Sequence, residues 1–173
     1  MKAMVIREYG SASVLEYEEV EAPTIKPDEL LVKVSAAGVN PVDWKIRKGM
    51  LKVITGNKFP MILGFDLAGE VLKVGSQVSD FQVGDKIYGS LGVPGGAYAQ
   101  LAAVPQKVAA PKADSISFEE AAALPVAALT ALQSLRDKAN LKPSQTVLVN
   151  GASGGVGIFA VQIAKALGAE VTG

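Results

Sequence analysis

The residues from Gly151 to Gly157, with the sequence Gly-Ala-Ser-Gly-Gly-Val-Gly, have the types and spacing of a ligand-binding turn. Side chains this small let backbone N–H groups approach a pyrophosphate, and the N-terminus of a following helix favours its negative charge. In the pattern Gly-x-Gly-x-x-Gly, Ala152 stands in the first place and Gly154 and Gly157 in the second and third. Two interpretations fit: dinucleotide binding, which we favour, or a turn that serves only tight packing of strand and helix.

The flanking residues predict the elements that such a turn needs. Residues 146–149 form an apolar run typical of a strand buried on both faces of a parallel sheet. Residues 156–167 have the spacing of an amphipathic helix closed by Gly168, and residues 170–172 open another strand. Strand, glycine turn, helix and strand together predict the first βαβ unit of a doubly wound sheet.

A second group of polar residues belongs to a short helix predicted over residues 41–48. Asn40 is its predicted N-cap, Pro41 its first residue and Gly49 its stop. Around it, short β-like segments separated by Gly, Pro, Asn and Asp are typical of an all-β barrel or sandwich. The predicted strands cover residues 4–6, 14–17, 30–34, 67–74, 86–88 and 98–103.

Near residue 115 the sequence pattern changes from short β-like segments to helix-like segments. Ser117 and Glu120 stand three apart ahead of an apolar run, which is a capping box that begins a helix. Pro125 is expected to break it and to start a second helix over 126–139. We therefore predict an α/β chain with a β domain over residues 1–115 and the first part of a dinucleotide-binding domain over residues 116–173.

The composition excludes several kinds of site and partner. Lys and Arg number 17, as do Asp and Glu, so there is no basic excess for nucleic acid. The chain has no Cys and no His, which excludes thiolate nucleophiles, disulfides and zinc sites of sulfur or imidazole. Asp43 and Asp66 are read as a chance pair of carboxylates, and no metal is predicted. The longest apolar run, 121–132, is too short to span a bilayer, and residues 1–10 lack the apolar core of a secretory signal.

Several of these segments resemble one known family. The chain resembles the signature of the quinone oxidoreductase and zeta-crystallin branch of the medium-chain dehydrogenase/reductase superfamily at Ser144, Gln145, Leu148, residues 152–157, Gln162 and Lys165. Residues 38–43, 63–69 and 83–89 resemble the catalytic domain of that branch, a GroES-like β-barrel, which is followed by a Rossmann domain. Zinc-dependent members carry Cys where this chain has Asn40 and His where it has Phe65. The resemblance therefore implies a zinc-independent reductase.

The resemblance also implies a reaction and its residues. A reduced nicotinamide, NADPH or alternatively NADH, gives a hydride to a quinone or an α,β-unsaturated carbonyl. Asn40 and Lys45 are implied at the active-site mouth as catalytic and cofactor-contacting residues, and Thr130 beside the nicotinamide. The implied pyrophosphate contacts are Ala152, Ser153, Gly154, Gly155, Val156 and Gly157.

Each side-chain assignment has a structural alternative. For Asn40 it is helix capping, for Lys45 a solvated position on the helix, and for Thr130 a hydroxyl bonded to its own backbone. Trp44 and Tyr88 are expected as core or pocket-wall aromatics. Either Tyr88 or solvent fits as the proton donor.

The last expectations concern the complete protein. The ribose-reading position of a Rossmann domain lies about 20 residues beyond the glycine turn, so we expect a fragment, or a partner chain that completes it. Residues that distinguish NADPH from NADH are then expected beyond Gly173. The complete protein is expected to be a cytoplasmic homo-oligomer, with an organelle location left open. Two other functions also fit: a catalytically silent nucleotide-binding or structural protein, and an enoyl-reductase module of a larger synthase.

Overall fold

The computed structural model describes all 173 residues, which form two compact units, Met1–Ala123 and Leu124–Gly173. We call them the N-terminal unit and the C-terminal unit. The division falls later than the predicted boundary between residues 115 and 116. The reason is the helix Phe118–Ala122, whose buried Ala121 and Ala122 pack against Ala68 of the N-terminal unit.

The N-terminal unit consists mainly of antiparallel strands. In chain order they are β1 (Lys2–Ile6), β2 (Glu16–Glu19), β3 (Glu29–Ala37), β4 (Met61–Ile62), β5 (Asp66–Val74), β6 (Lys86–Ser90), β7 (Leu101–Pro105) and β8 (Ala109–Pro111). Its helices are α1 (Pro41–Arg47), α2 (Lys52–Thr55) and α3 (Phe118–Ala122), with 3-10 turns at Ala12–Val14 and Gln106–Val108. A five-stranded sheet has the order β7-β3-β5-β6-β8, and a three-stranded sheet the order β2-β1-β4.

Two apolar clusters hold these strands and helix α1 in place. On the larger sheet, alternate residues of β3 and β5 point inward, and Leu30 and Leu67 are fully buried. A second cluster joins Ile6 of β1, Met61 of β4 and Ile46 of α1. Because Ile46 is buried there, α1 is fixed on the sheet together with the residues that begin it.

Most of the predicted elements of the N-terminal unit are present. The segment predicted as a strand over 14–17 is different: it starts in a 3-10 turn, and β2 pairs with β1 only from Glu16. The strand predicted over 98–103 begins later, at Leu101. The elements β4, β8 and α2 were not predicted, because they are two, three and four residues long and show no periodicity.

The C-terminal unit contains the predicted βαβ unit. Its elements are α4 (Pro125–Leu132), a π-helical segment (Gln133–Lys138), β9 (Thr146–Leu148), α5 (Gly155–Ala166) and β10 (Glu170–Thr172). Strands β9 and β10 are parallel, as predicted. The prediction of a strand buried on both faces is wrong for β9: Val147 packs in the apolar cluster with Ala160 of α5, whereas Leu148, on the opposite face, is 75% exposed. No helix of the structure combines the length and the apolar character that a membrane crossing requires.

Candidate functional site

A hydrogen-bonded network lies at the start of α1. The Asn40 backbone N–H donates to Asp43 Oδ2 at 2.7 Å, and the Tyr98 hydroxyl donates to the same oxygen at 2.9 Å. The Asn40 side-chain Nδ2 donates to Asp66 Oδ2 at 2.9 Å. Asp43 and Asp66 are only 3% and 1% exposed, so protein donors take the place of water at the Oδ2 atom of each carboxylate. We call Asn40, Asp43, Asp66 and Tyr98 the Asn40 network.

The local sequence explains how α1 begins at this network. Asn40 has an extended backbone with φ −116° and ψ 154°, and Pro41 supplies a φ suited to the first helical turn. Asp43, at the third helical position, reaches back to the Asn40 N–H as the acidic half of a capping box. The prediction that Asn40 is the N-cap residue is confirmed. Its bond to Asp66 is an additional contact that capping does not require.

Burial controls the protonation of this network. Desolvation raises the pKa of Asp43 above its ordinary value, hydrogen bonds from Asn40, Tyr98 and Gly64 partly oppose the rise, and the nearby Asp66 charge adds to it. The pKa of the Tyr98 hydroxyl is also raised, first by burial and then by the Asp43 charge. Tyr98 is therefore a neutral donor at physiological pH.

Asp43 should make stability depend on pH. Because folding raises its pKa, the native state holds the proton more tightly than the unfolded state does. The resulting stabilisation is present below the ordinary pKa of 3.8 and is lost as the pH rises through the folded pKa. Asp43→Asn keeps the shape and removes this titration. In urea unfolding at a series of acidic pH values, the wild type should lose stability relative to the variant as the pH rises; a pH-independent difference would contradict the assignment.

Lys45 lies half-buried on α1, near the exposed Trp44. Lys45 Nζ is 5.8 Å from the centroid of the Trp44 ring and Lys48 Nζ is 5.2 Å from it. Lys45 forms no ion pair in the structure. Of the two positions expected for Trp44, the core is wrong, since the residue is 41% exposed, and a pocket wall stays a prediction. Tyr88, by contrast, packs against Ala68 and α3 as a partly buried aromatic.

Phe65 packs against the apolar cluster that anchors α1. Phe65 and Asn40 stand at the two positions where zinc-dependent members of the superfamily carry a ligand. Asn40 directs its amide Nδ2 to Asp66. The structure contains no group of three or more acidic side chains arranged to hold a metal ion. A phenyl ring and an amide engaged with a carboxylate are not a zinc-binding pair.

The glycine turn connects β9 to α5 in the C-terminal unit. Gly151 has a left-handed φ of +76°, and the Gly154 N–H donates to the Gly151 carbonyl at 3.0 Å. A Cβ at Gly157 would overlap that carbonyl oxygen, so the close packing of helix on turn requires glycine there.

The same turn leaves backbone donors free. Gly154 is the N-cap of α5, so the N–H groups of Gly155 and Val156 in its first turn have no intrahelical partner. Both residues are exposed, and nothing lies within 4 Å of a Cβ built at Gly155. A pyrophosphate fits this cradle of small residues, since it needs N–H donors and open space beside a helix N-terminus.

Thr130 is exposed on α4 of the C-terminal unit. Its hydroxyl donates to the Val126 carbonyl at 2.6 Å, which is the structural alternative noted from the sequence. A hydroxyl bonded in this way offers a ligand only the lone pairs of its oxygen.

The predicted site residues are thus grouped in two places. Asn40 and Lys45 belong to one short helix of the N-terminal unit, while Thr130 and residues 152–157 belong to the C-terminal unit. Tyr98 was not predicted as a site residue, because it is 55 positions from Asp43 and no local pattern links them. For Asp43 a signal existed: an acidic residue three positions after an N-cap.

The β unit with the Asn40 network, followed by a βαβ unit with a glycine turn, defines a GroES-like domain joined to the start of a Rossmann-type domain. Residues 26–114 match the family model of the alcohol dehydrogenase GroES-like domain. The chain belongs to this family. The resemblance to quinone oxidoreductases of the medium-chain dehydrogenase/reductase superfamily is confirmed by the relatives that follow.

Three relatives illustrate the similarity. The chain is 45% identical to the chloroplast envelope quinone oxidoreductase homolog of Arabidopsis thaliana, over 99% of this chain and 54% of the relative. It is 39% identical to the NADPH-dependent alkenal/one oxidoreductase of the same organism, over 95% of this chain and 44% of the relative. The Escherichia coli quinone oxidoreductase crystallised with NADPH is 33% identical, with a TM-score of 0.88 over 99% of this chain and 52% of that chain. The chain spans about half the length of the curated relatives it matches.

Proposed function

We propose that this chain is the catalytic domain and the first part of the cofactor domain of a zinc-independent, NADPH-dependent reductase of quinones or α,β-unsaturated carbonyls. The observation that carries the proposal is the glycine turn, whose exposed N–H groups open α5 at the start of a βαβ unit. The names of the relatives support NADPH as cofactor and quinones or enones as acceptors. NADH remains the alternative cofactor.

The chain's residues would bind and orient the reactants. The reduced nicotinamide supplies the hydride when it is bound. The N–H groups at the start of α5 hold the pyrophosphate, supported by the partial positive charge of the helix N-terminus. Lys45 provides a hydrogen-bond donor for the cofactor or for the oxygen of the acceptor, on which negative charge grows. The Asn40 carboxamide contacts the cofactor or the acceptor. The Thr130 hydroxyl oxygen accepts a hydrogen bond near the nicotinamide.

The proposed reaction needs no zinc. Asn40 and Phe65 stand at the two positions where zinc-dependent members carry Cys and His. The bond from Asn40 to Asp66 and the packing of Phe65 on apolar residues suit a site that activates its acceptor by hydrogen bonds alone. Added zinc should therefore leave the turnover of the complete protein unchanged.

The role of Lys45 can be tested against its neighbour. Lys45→Met should lower kcat/KM for a quinone and an enone by about 10-fold or more, since one charge-assisted hydrogen bond is lost. Lys48→Met is the matched control: Lys48 contacts the same Trp44 ring and lies outside the proposed site. Steady-state kinetics of both variants decide the point. Equal rates for the two variants would assign Lys45 to the solvated helix surface.

Oligomeric state and location stay predictions from the sequence. A homo-oligomer is proposed for the complete protein. The cytoplasm is the default location, and the Arabidopsis thaliana relatives named as chloroplast proteins support keeping an organelle as the alternative. Size-exclusion chromatography with light scattering and fractionation of the source cells would test these two predictions.

A further inference from the structure

Asp66 is a buried carboxylate for which the proposed chemistry has no use. It opens strand β5, opposite Ser90 of β6, and its side chain accepts from Asn40 Nδ2 at 2.9 Å. Its backbone carbonyl accepts from the Gly38 N–H at 2.9 Å. Asp66 is therefore fixed on a central strand of the larger sheet, while Asn40 begins a helix in the connection that follows β3.

The bond to Asp66 determines which way the Asn40 amide faces. A carboxylate can only accept, so the amide must turn its nitrogen toward Asp66. The Asn40 carbonyl oxygen and one N–H then remain for a ligand. Without a neighbour that only accepts, the amide could adopt either of two orientations that differ by a flip.

The backbone at Gly38 makes this arrangement sterically feasible. A Cβ at Gly38 would lie 3.1 Å from the Asp66 Cβ and would overlap the Ala122 carbonyl oxygen. Glycine at this position lets the end of β3 run close to Asp66. Asn40 itself is held a second time, through its backbone N–H, by Asp43. Two carboxylates thus fix one residue at its backbone and at its side chain.

We propose that Asp66 is a positioning residue that fixes the orientation of the Asn40 carboxamide, so that Asn40 presents its carbonyl oxygen to the cofactor or substrate. The inference rests on the proposed function. It differs from a structural role for Asp66 because the whole effect of Asp66 on turnover passes through Asn40.

A double-mutant cycle in the complete protein tests this coupling. Asp66→Asn should lower kcat/KM by about 10- to 100-fold, because the amide can flip and the positioned group is lost. In the background of Asn40→Ala, the same change should have little further effect. Glu29→Gln is the matched control, since Glu29 is a buried carboxylate of β3 that bonds Lys26, outside the Asn40 network. It should leave kcat/KM unchanged.

A second variant tests the geometry even if Asp66→Asn does not fold. Asn40→Asp places a carboxylate opposite Asp66, with Asp43 and Tyr98 as the other titratable neighbours. When protonated, the introduced group donates its O–H to Asp66 and presents a carbonyl oxygen, as the amide does. Relative to the wild type, both the melting temperature and kcat/KM of Asn40→Asp should rise as the pH is lowered.

The outcomes separate the inference from the proposed function. If the wild type turns over and Asp66→Asn lowers kcat/KM equally in the wild-type and the Asn40→Ala backgrounds, the inference alone is overturned. The inference alone is also overturned if the wild type turns over and Asn40→Asp shows the same pH dependence of melting temperature and kcat/KM as the wild type. A wild type that neither binds NADPH nor turns over quinones and enones would overturn the proposed function and the inference together, since no reaction would remain for Asp66 to support.

Discussion

Gly157→Ala should weaken NADPH binding to the complete protein by roughly 10- to 100-fold and lower its thermal stability. The added Cβ would overlap the Gly151 carbonyl oxygen and lie 2.7 Å from the Ala152 Cα. These are backbone atoms that cannot rotate away, so the turn itself must move, at a cost of about 1–3 kcal/mol. The displaced turn then holds its N–H groups in the wrong place for a pyrophosphate. Fluorescence titration with NADPH and a melting curve measure the two effects.

Gly155→Ala is the matched control for the stability effect. Gly155 is two positions earlier in α5, and no atom lies within 4 Å of a Cβ built there. Alanine is the better helix former by roughly 0.5–1 kcal/mol, so the ligand-free melting temperature should stay the same or rise. If Gly157→Ala melts like Gly155→Ala and binds NADPH like the wild type, the turn does not have the packing described above.

Gly64→Ala should destabilise the N-terminal unit by roughly 2–5 kcal/mol and disturb the Asn40 network. Gly64 has φ +91°, and an alanine there incurs about 1–2 kcal/mol for the left-handed conformation. Its Cβ would also overlap the Tyr98 ring, which adds about 1–3 kcal/mol of overpacking. To relieve the overlap, Tyr98 must move away from Asp43, to which it donates at 2.9 Å. Denaturant unfolding of the complete protein would measure the loss.

Gly84→Ala separates the two contributions. Gly84 has nearly the same φ, +92°, but no atom lies within 4 Å of a Cβ at this position. It should lose only the conformational contribution and keep normal turnover. Equal destabilisation by Gly64→Ala and Gly84→Ala would mean that the contact with Tyr98 contributes nothing.

Local patterns made much of this fold predictable. The Ser117 and Glu120 capping box is present, with the Glu120 N–H donating to Ser117 Oγ at 3.1 Å and the Ser117 N–H donating to Glu120 Oε2 at 2.7 Å. Asn40 and Pro41 begin α1 as predicted, and the run of small residues before α5 forms the expected turn. Each of these features depends on residues within a few positions of one another, so their types and spacing are sufficient to predict them.

Contacts between distant parts of the sequence were not predictable in the same way. Asp66 is 26 positions from Asn40, and Tyr98 is 55 positions from Asp43. Their contacts depend on the order of strands in the sheet, which periodicity does not determine. The sequence therefore predicts only a chance pair for Asp43 and Asp66, whereas the structure buries both and connects them through Asn40. From its residue type Trp44 is expected as a core or pocket-wall aromatic, but it is exposed, and Lys45 and Lys48 lie near its ring.

Consumption of NADPH by the complete protein tests hydride transfer to a quinone or an enone most directly. With a quinone or an enone as acceptor, the absorbance of NADPH should fall at a rate that saturates with acceptor. Asn40→Ala and Gly157→Ala should both reduce this rate, through kcat and through NADPH affinity respectively. Tight NADPH binding with no consumption of NADPH across a panel of quinones, enones and enoyl thioesters would contradict the account and favour a catalytically silent nucleotide-binding protein.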